Sequence, residues 1–252
     1  LAVHVNRVLR TINCCSWDIP PCPSIDKHQQ NQYLKILGKN FALGEKLVLK
    51  LVGFDCDGVL FDSREANTEF YNSILRQFDL PPMTSTAVDY VHSHTVHESL
   101  EYLFRESPRV AEVLDYCRTI DYQRFIPLMI EEPHLREFLS FLRPRFYTAL
   151  ATNRTTTTQA VLDYHALADQ FDLVVSALDV TRPKPHPESF WRILEHFNLR
   201  PGEVIYIGDS KVDEQFAHNA GVHLVAYRNP GLKAEFYLDS FAAGPQLIQE
   251  LT

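Results

Sequence analysis

The side chains with chemistry to offer are acidic, and they sit in short loops. Asp55 and Asp57 stand two apart in Asp55-Cys56-Asp57-Gly58, and Asp209 and Asp213 stand four apart after Gly208. Thr152-Asn153 and Lys184, the latter between Pro183 and Pro185, share that setting. Carboxylates two residues apart in an extended loop point roughly the same way. One can then attack an electrophile while the other gives a proton to the leaving oxygen and later activates water. Cys56 between them is expected to turn toward the core, which makes it a poor nucleophile. Gly58 permits a tight backbone turn after the pair.

These residues act together only if the chain brings them together, and its patterning predicts that it does. Residues 47–54 form a largely apolar run, as a strand buried on both faces would. Ser63 is placed to cap a helix carrying Phe70, Tyr71, Ile74, Leu75 and Phe78 on one face, ended by Pro81 and Pro82. Residues 84–131 continue as helical patterns without a convincing strand. A helix through Leu135, Phe138, Leu139 and Leu142 follows. Strands are then expected at 146–152, 173–176 and 204–207, with a final one at 223–227, separated by helices at 156–171, 187–197 and 212–219.

Such alternation predicts a parallel sheet with helices on both faces, and ligands bind at the carboxyl ends of its strands. Each polar group noted above follows one of those strands, so four carboxylates, a hydroxyl and an ammonium meet at one sheet edge. Crowded carboxylates left unpaired cost on the order of several kcal/mol. A divalent cation removes that cost, and an oxygen-only site with few carboxylates suits Mg²⁺. Lys184 and Thr152 add the positive charge and hydrogen bond that a phosphoryl group needs. The chemistry implied is metal-assisted phosphoryl transfer.

Composition bounds the rest. The chain has 252 residues, 45% hydrophobic and 22% charged, which is ordinary globular usage. A net charge of −8 argues against a general nucleic-acid binder, though not against a phosphorylated substrate. No run approaches the roughly 20 apolar residues of a membrane span. Five cysteines make no disulfide framework, and Cys14, Cys15 and Cys22 lack the paired spacing of a structural zinc site. Free thiols in a reducing cytoplasm are the simpler reading. Residues 1–45 show no sustained period and read as a loosely attached, poorly ordered extension. His92, His94 and His97 fit neither one helical face nor a zinc pattern, and read as surface or substrate-facing. Asp62 reads as a helix cap or a solvated residue. Arg154 is as well placed to assist phosphate binding as to face water.

Residues 54–63, Phe54-Asp55-Cys56-Asp57-Gly58-Val59-Leu60-Phe61-Asp62-Ser63, resemble the first motif of the haloacid dehalogenase superfamily, particularly its phosphoglycolate phosphatase-like branch. Residues 151–154 resemble the second motif, 182–187 the third and 207–213 the fourth, with Asn219-Ala220-Gly221 following. The resemblance implies a Rossmann-like core at 46–64 and 134–252 and an inserted all-helical cap at 65–133 that selects the substrate. It implies that Asp55 is the nucleophile and a metal ligand. Asp57 is then the acid and base and ligates through its backbone carbonyl, Asp209 completes the Mg²⁺ site, and Asp213 supports it. Thr152, Asn153 and Lys184 bind the substrate, a small phosphorylated metabolite.

Rivals within the superfamily are distinguishable. A dehalogenase has no leaving oxygen to protonate and no need of Asp57. A phosphonatase wants a cap lysine, and residues 83–133 contain none. A sugar phosphomutase carries an arginine three residues before a Ser-Leu pair, where this chain has Val96 before Ser99-Leu100. A non-catalytic descendant would not need Asp55, Asp57, Thr152, Lys184 and Asp209 together.

Overall fold

The computed structural model describes residues 46–252, and the readings made for residues 1–45 lie outside them. The sheet forms where apolar runs are longest. β1 (Leu51–Phe54), β4 (Tyr147–Ala151), β5 (Leu173–Val175), β6 (Val204–Gly208), β7 (His223–Tyr227) and β8 (Phe236–Leu238) pair in the order β5-β4-β1-β6-β7-β8. Every pairing is parallel, with Phe54 opposite Leu150 on one side and Ile207 on the other.

Period-two alternation sends side chains to both faces of this sheet. Val52, Phe54, Leu150 and Ile207 join one core, and Leu51, Ala149, Ala151 and Tyr206 join the other. The helices divide accordingly. α5 (Leu135–Leu142), α6 (Thr158–Tyr164) and α9 (Gly244–Leu251) cover the first face, and α7 (Glu188–Phe197) and α8 (Lys211–Ala220) the second. The expected α/β layering is therefore observed.

Between β1 and α5 the chain builds α1 (Arg64–Gln77), α2 (Ser85–Ser93), α3 (Val96–Leu103) and α4 (Val110–Cys117), then a 3₁₀ turn, Tyr122–Leu128. Phe70, Tyr71, Ile74 and Leu75 form the buried stripe of α1, as their spacing predicts. Thr95 caps α3 in a reciprocal box with Glu98.

Four details depart from the sequence reading. β2 (Phe61–Asp62) and β3 (Ile130–Glu131) form a small antiparallel ribbon at the foot of this helical segment. Two-residue strands carry too little period to be read. Strand β1 begins at Leu51, not Leu47. The helix expected at 156–171 breaks into α6 and a 3₁₀ turn, Ala168–Gln170, where Ala166 adopts a positive φ of 50°. Finally, β7 is not the last strand, because β8 adds to the edge and α9 packs back on the sheet.

Candidate active site

The strand ends deliver the expected side chains to one place. The Asp55 amide donates to Ile207 O at 2.9 Å, so the sheet ladder fixes its backbone one residue beyond β1. The Thr152 amide donates to Val175 O at 3.0 Å and fixes the end of β4 in the same way. Asp55 and Asp57 line one cavity while Cys56 is fully buried in the hydrophobic core, as the two-residue spacing requires. Burial pushes the Cys56 thiol up, so the thiolate a nucleophilic cysteine needs is disfavoured.

The turn after Asp57 depends on glycine. Gly58 has φ +77°, and a Cβ there would lie 2.2 Å from Asp209 Oδ2. The loop after β1 thus presses its bare backbone against the aspartate at the end of β6. Asn229 steadies that aspartate from the other side, donating through Nδ2 to Asp209 O at 2.7 Å.

Lys184 is buried among three acceptors. Its Nζ lies 2.7 Å from Asp55 Oδ1, 2.8 Å from Asp213 Oδ1 and 2.9 Å from the Tyr206 hydroxyl. Asn153 clamps the lysine backbone on both sides, accepting from Lys184 N at 3.0 Å and donating to Lys184 O at 3.1 Å. The Lys184–Pro185 peptide is cis. Asp213 has no free oxygen to turn elsewhere. Its Oδ2 accepts from Ser210 N and Oγ at 3.1 and 2.6 Å, closing the capping box of α8, and Oδ1 accepts from Lys184 and Tyr206.

Carboxylate oxygens of Asp55, Asp209 and Asp213 lie within 4.8 Å of one another. One ammonium does not neutralise three carboxylates, and the shifts record it. Asp55 is pushed up to about 7 by burial and then by Asp213, against the pull of Lys184. Asp209 is raised well above the carboxylate range by burial, Asp213 and Asp55. Burial also opposes ionisation of Asp213, but Lys184 and Ser210 outweigh it and hold its carboxyl low. A hard, oxygen-seeking cation fits this donor set.

Asp57 is balanced separately. Burial pushes it up, but Arg154 outweighs that and holds it below the usual range. Arg154 is itself buried, and its Nη2 donates to Asp57 Oδ1 at 2.7 Å and to the Tyr122 hydroxyl at 3.2 Å. Arg154 thus does not face water; it is buried against Asp57. Ser63 stands at the start of α1, yet it makes no side-chain cap there; its hydroxyl donates to Asp57 Oδ1. Asp62 is exposed and accepts from the Arg64 amide at 3.2 Å.

Tyr206 is the site residue that sequence reading missed. Its hydroxyl touches Lys184, Asp213 and, at 3.0 Å, Ala151 O. Within an apolar strand a tyrosine reads as core, and nothing in its spacing marks it. The three histidines separate. His92 and His94 line the cavity with Asn67 and Tyr122, and His97 reaches it from the exposed surface beside Glu101. None of the three joins the acidic cluster. The cavity holds about 600 Å³ between the sheet edge and the helical segment.

Fold and site together define a class: an α/β enzyme with an acidic centre at the carboxyl edge of a parallel sheet and a helical insert beside it. Residues 52–227 match the family model of haloacid dehalogenase-like hydrolases, and the chain belongs to that family. It is 27% identical over 188 residues to a phosphoglycolate phosphatase of Haemophilus influenzae (strain 86-028NP), covering 70% of this chain and 84% of the relative. It is 25% identical over 203 residues to the pyrophosphatase PpaX of Bacillus mycoides (strain KBAB4), covering 77% and 89% respectively. The crystal structure of a HAD-superfamily hydrolase, subfamily IA, variant 1, from Geobacter sulfurreducens PCA superposes with a TM-score of 0.67 at 36% identity. That match covers 81% of this chain and 99% of the other. The family resemblance drawn from the sequence motifs is met.

Proposed function

We propose that this protein is a Mg²⁺-dependent phosphatase that hydrolyses a small phosphorylated metabolite through an aspartyl-phosphate on Asp55. The observation that carries the reading is the pairing of Asp55 and Asp57 on one cavity, with Lys184 Nζ 2.7 Å from Asp55. Residues 65–133 then serve as the cap over that cavity. No helix among the described residues is long and apolar enough to cross a membrane. A cytoplasmic metabolite is the simplest substrate.

The residues divide the work as follows. An Asp55 carboxylate oxygen attacks phosphorus, forming the acyl phosphate as the bond to the ester oxygen breaks. Asp57 supplies the proton that the departing oxygen takes. In the second half Asp57, ionised, takes a proton from water, whose oxygen attacks phosphorus and frees Asp55 and inorganic phosphate. Arg154 favours that ionised form, so proton delivery in the first half requires Asp57 to loosen its hold on Arg154. Lys184 and Thr152 meet the phosphoryl oxygens, and Asn153 holds the Lys184 backbone in place. Asp55, Asp209 and the backbone carbonyl of Asp57 would hold Mg²⁺, with Asp213 supporting. The metal, when bound, supplies charge neutralisation between the carboxylates and the phosphoryl group.

The test is phosphate release from a panel of phosphomonoesters with and without Mg²⁺, repeated with Asp55→Asn. Metal-dependent release that disappears in the variant is expected. No release from any ester by the intact chain sinks the proposal. Interconversion of hexose phosphates with little free phosphate would instead mark a phosphomutase.

A further inference from the structure

The cavity is larger than a phosphoryl group requires, and its two ends differ in kind. At about 600 Å³ it falls in the range of pockets that enclose a whole organic ligand. The wall supplied by the helical segment is mixed, and its apolar stretch is formed by Phe70, Leu100, Leu114, Cys117, Ile120 and Tyr122. Phe70 and Tyr122 meet edge to face with centroids 5.2 Å apart. Such a wall takes up uncharged, ring-sized groups and penalises a charged group left without a partner.

The cations around the cavity are already committed. Lys184 serves Asp55 and Asp213, and Arg154 serves Asp57. Arg118 also lines the cavity, at its exposed rim, where it pairs with the equally exposed Asp115 at 2.6 Å. His97 is exposed and 3.4 Å from Glu101, while His94 stacks on Tyr90 with Nδ1 2.8 Å from its carbonyl. Burial pushes the His92 imidazole below its ordinary value, so it faces the cavity uncharged. Asp121 adds a negative charge to the same lining. A carboxylate or second phosphate lying deep against that wall would find no lysine or arginine among the described residues that is not already held by a buried carboxylate, since Arg118 stands at the exposed rim.

We infer that the leaving group of the substrate is an uncharged alcohol with an apolar ring-sized body, and not a carboxylate-bearing or phosphate-bearing group. The inference rests on the phosphatase reading and names the substrate class for that site. It sets this chain apart from what its relatives' names would suggest for it.

The experiment compares esters of similar reactivity: ethyl phosphate, 2-phenylethyl phosphate, phosphoglycolate and, in addition, pyrophosphate, each with the full chain and Mg²⁺. The kcat/KM for 2-phenylethyl phosphate should exceed that for ethyl phosphate by about tenfold or more, since pocket burial of apolar groups discriminates on that scale. Phosphoglycolate should do no better than ethyl phosphate. Phosphoglycolate or pyrophosphate ahead of 2-phenylethyl phosphate overturns the inference and leaves the phosphatase standing. No turnover of any of the four overturns both. Leu114→Lys places a cation in the apolar wall at a half-buried position. It should lower the ratio of 2-phenylethyl phosphate to phosphoglycolate turnover by about tenfold. That ratio is taken within one preparation, so partial unfolding does not move it; an unchanged ratio removes the wall from specificity.

Discussion

Lys184 is the residue on which the site turns. An ammonium has three donors, and here each has a named acceptor in Asp55, Asp213 and Tyr206. Lys184→Met would leave the buried Asp213 and Asp55 carboxylates facing each other. Removing one partner of a buried ion pair costs about 3–5 kcal/mol, so urea denaturation should show a loss of that size, with phosphate release abolished. Tyr206→Phe removes only the hydroxyl that bridges Lys184, Asp213 and Ala151 O. It should cost about 1–3 kcal/mol and reduce kcat less than Lys184→Met does. The same denaturation series, read beside initial rates, separates the two. Lys184 was legible because it follows a predicted strand as the other polar groups do; between two prolines alone it would read as part of a rigid loop. Tyr206 was not, because its ring packs among Phe190 and Phe216 and satisfies every expectation of a core residue. Only the third dimension shows what its oxygen touches.

At the scale of elements, β6 carries the site at one end and a separate electrostatic anchor at the other. Its last residue, Gly208, has no room for a side chain: a Cβ would lie 2.4 Å from Asp213 Cβ on α8. Gly208→Ala must push α8 away from the strand. Overpacking of this kind costs about 1–3 kcal/mol and moves Asp213 off Lys184, so thermal melting and turnover should fall together. Before the strand begins, Glu203 accepts from the Arg200 amide at 2.8 Å and pairs with Lys50 at 2.9 Å. The Arg200 backbone, then the Arg200 and Lys50 side chains, hold its carboxyl down at about 2. A depressed carboxyl stabilises the fold above its unfolded pKa of roughly 4.3, and that contribution is lost as pH falls through about 2. Glu203→Gln should therefore be less stable than the parent at pH 7, with the gap closing between about pH 4 and pH 2. Denaturation midpoints across that range check it. Long apolar strands and striped helices of this layer were readable from period alone. The β2–β3 ribbon was not, since strands of two residues leave no period to detect and owe their existence to what they pair with; β8 was missed although β5, of the same length, was read.

Across the whole molecule, distant parts of the chain make one charged object. Asp55 lies more than 150 positions before Asp209 and Asp213, yet the three have carboxylate oxygens within 4.8 Å of one another. Sequence could place each at a strand end, and parallel pairing then forced them together. It could not say which carboxylate would claim the lysine. The structure pairs Lys184 with Asp55 and Asp213 and gives Asp209 no ion pair among the described residues, its carboxyl raised well above the usual range by burial and its neighbours. Crowding three carboxylates therefore costs the folded state stability, as repulsion or as proton uptake, that the unfolded chain in water avoids. Anything that binds the folded form alone stabilises it by mass action, by about 2.7 kcal/mol at a hundredfold excess over Kd. Mg²⁺ should thus raise the melting temperature of the parent chain, to a degree that grows with its concentration. Asp209→Asn keeps the shape while removing a carboxyl whose ionisation burial and its neighbours oppose. Without metal it should melt at or above the parent's temperature, since it relieves repulsion. With Mg²⁺ it should show little further rise if Asp209 is the ligand proposed above. Calorimetric scans of both proteins across a Mg²⁺ series, with Na⁺ matched for ionic strength, check both halves. A rise of equal size in the two proteins would mean that the cation binds elsewhere.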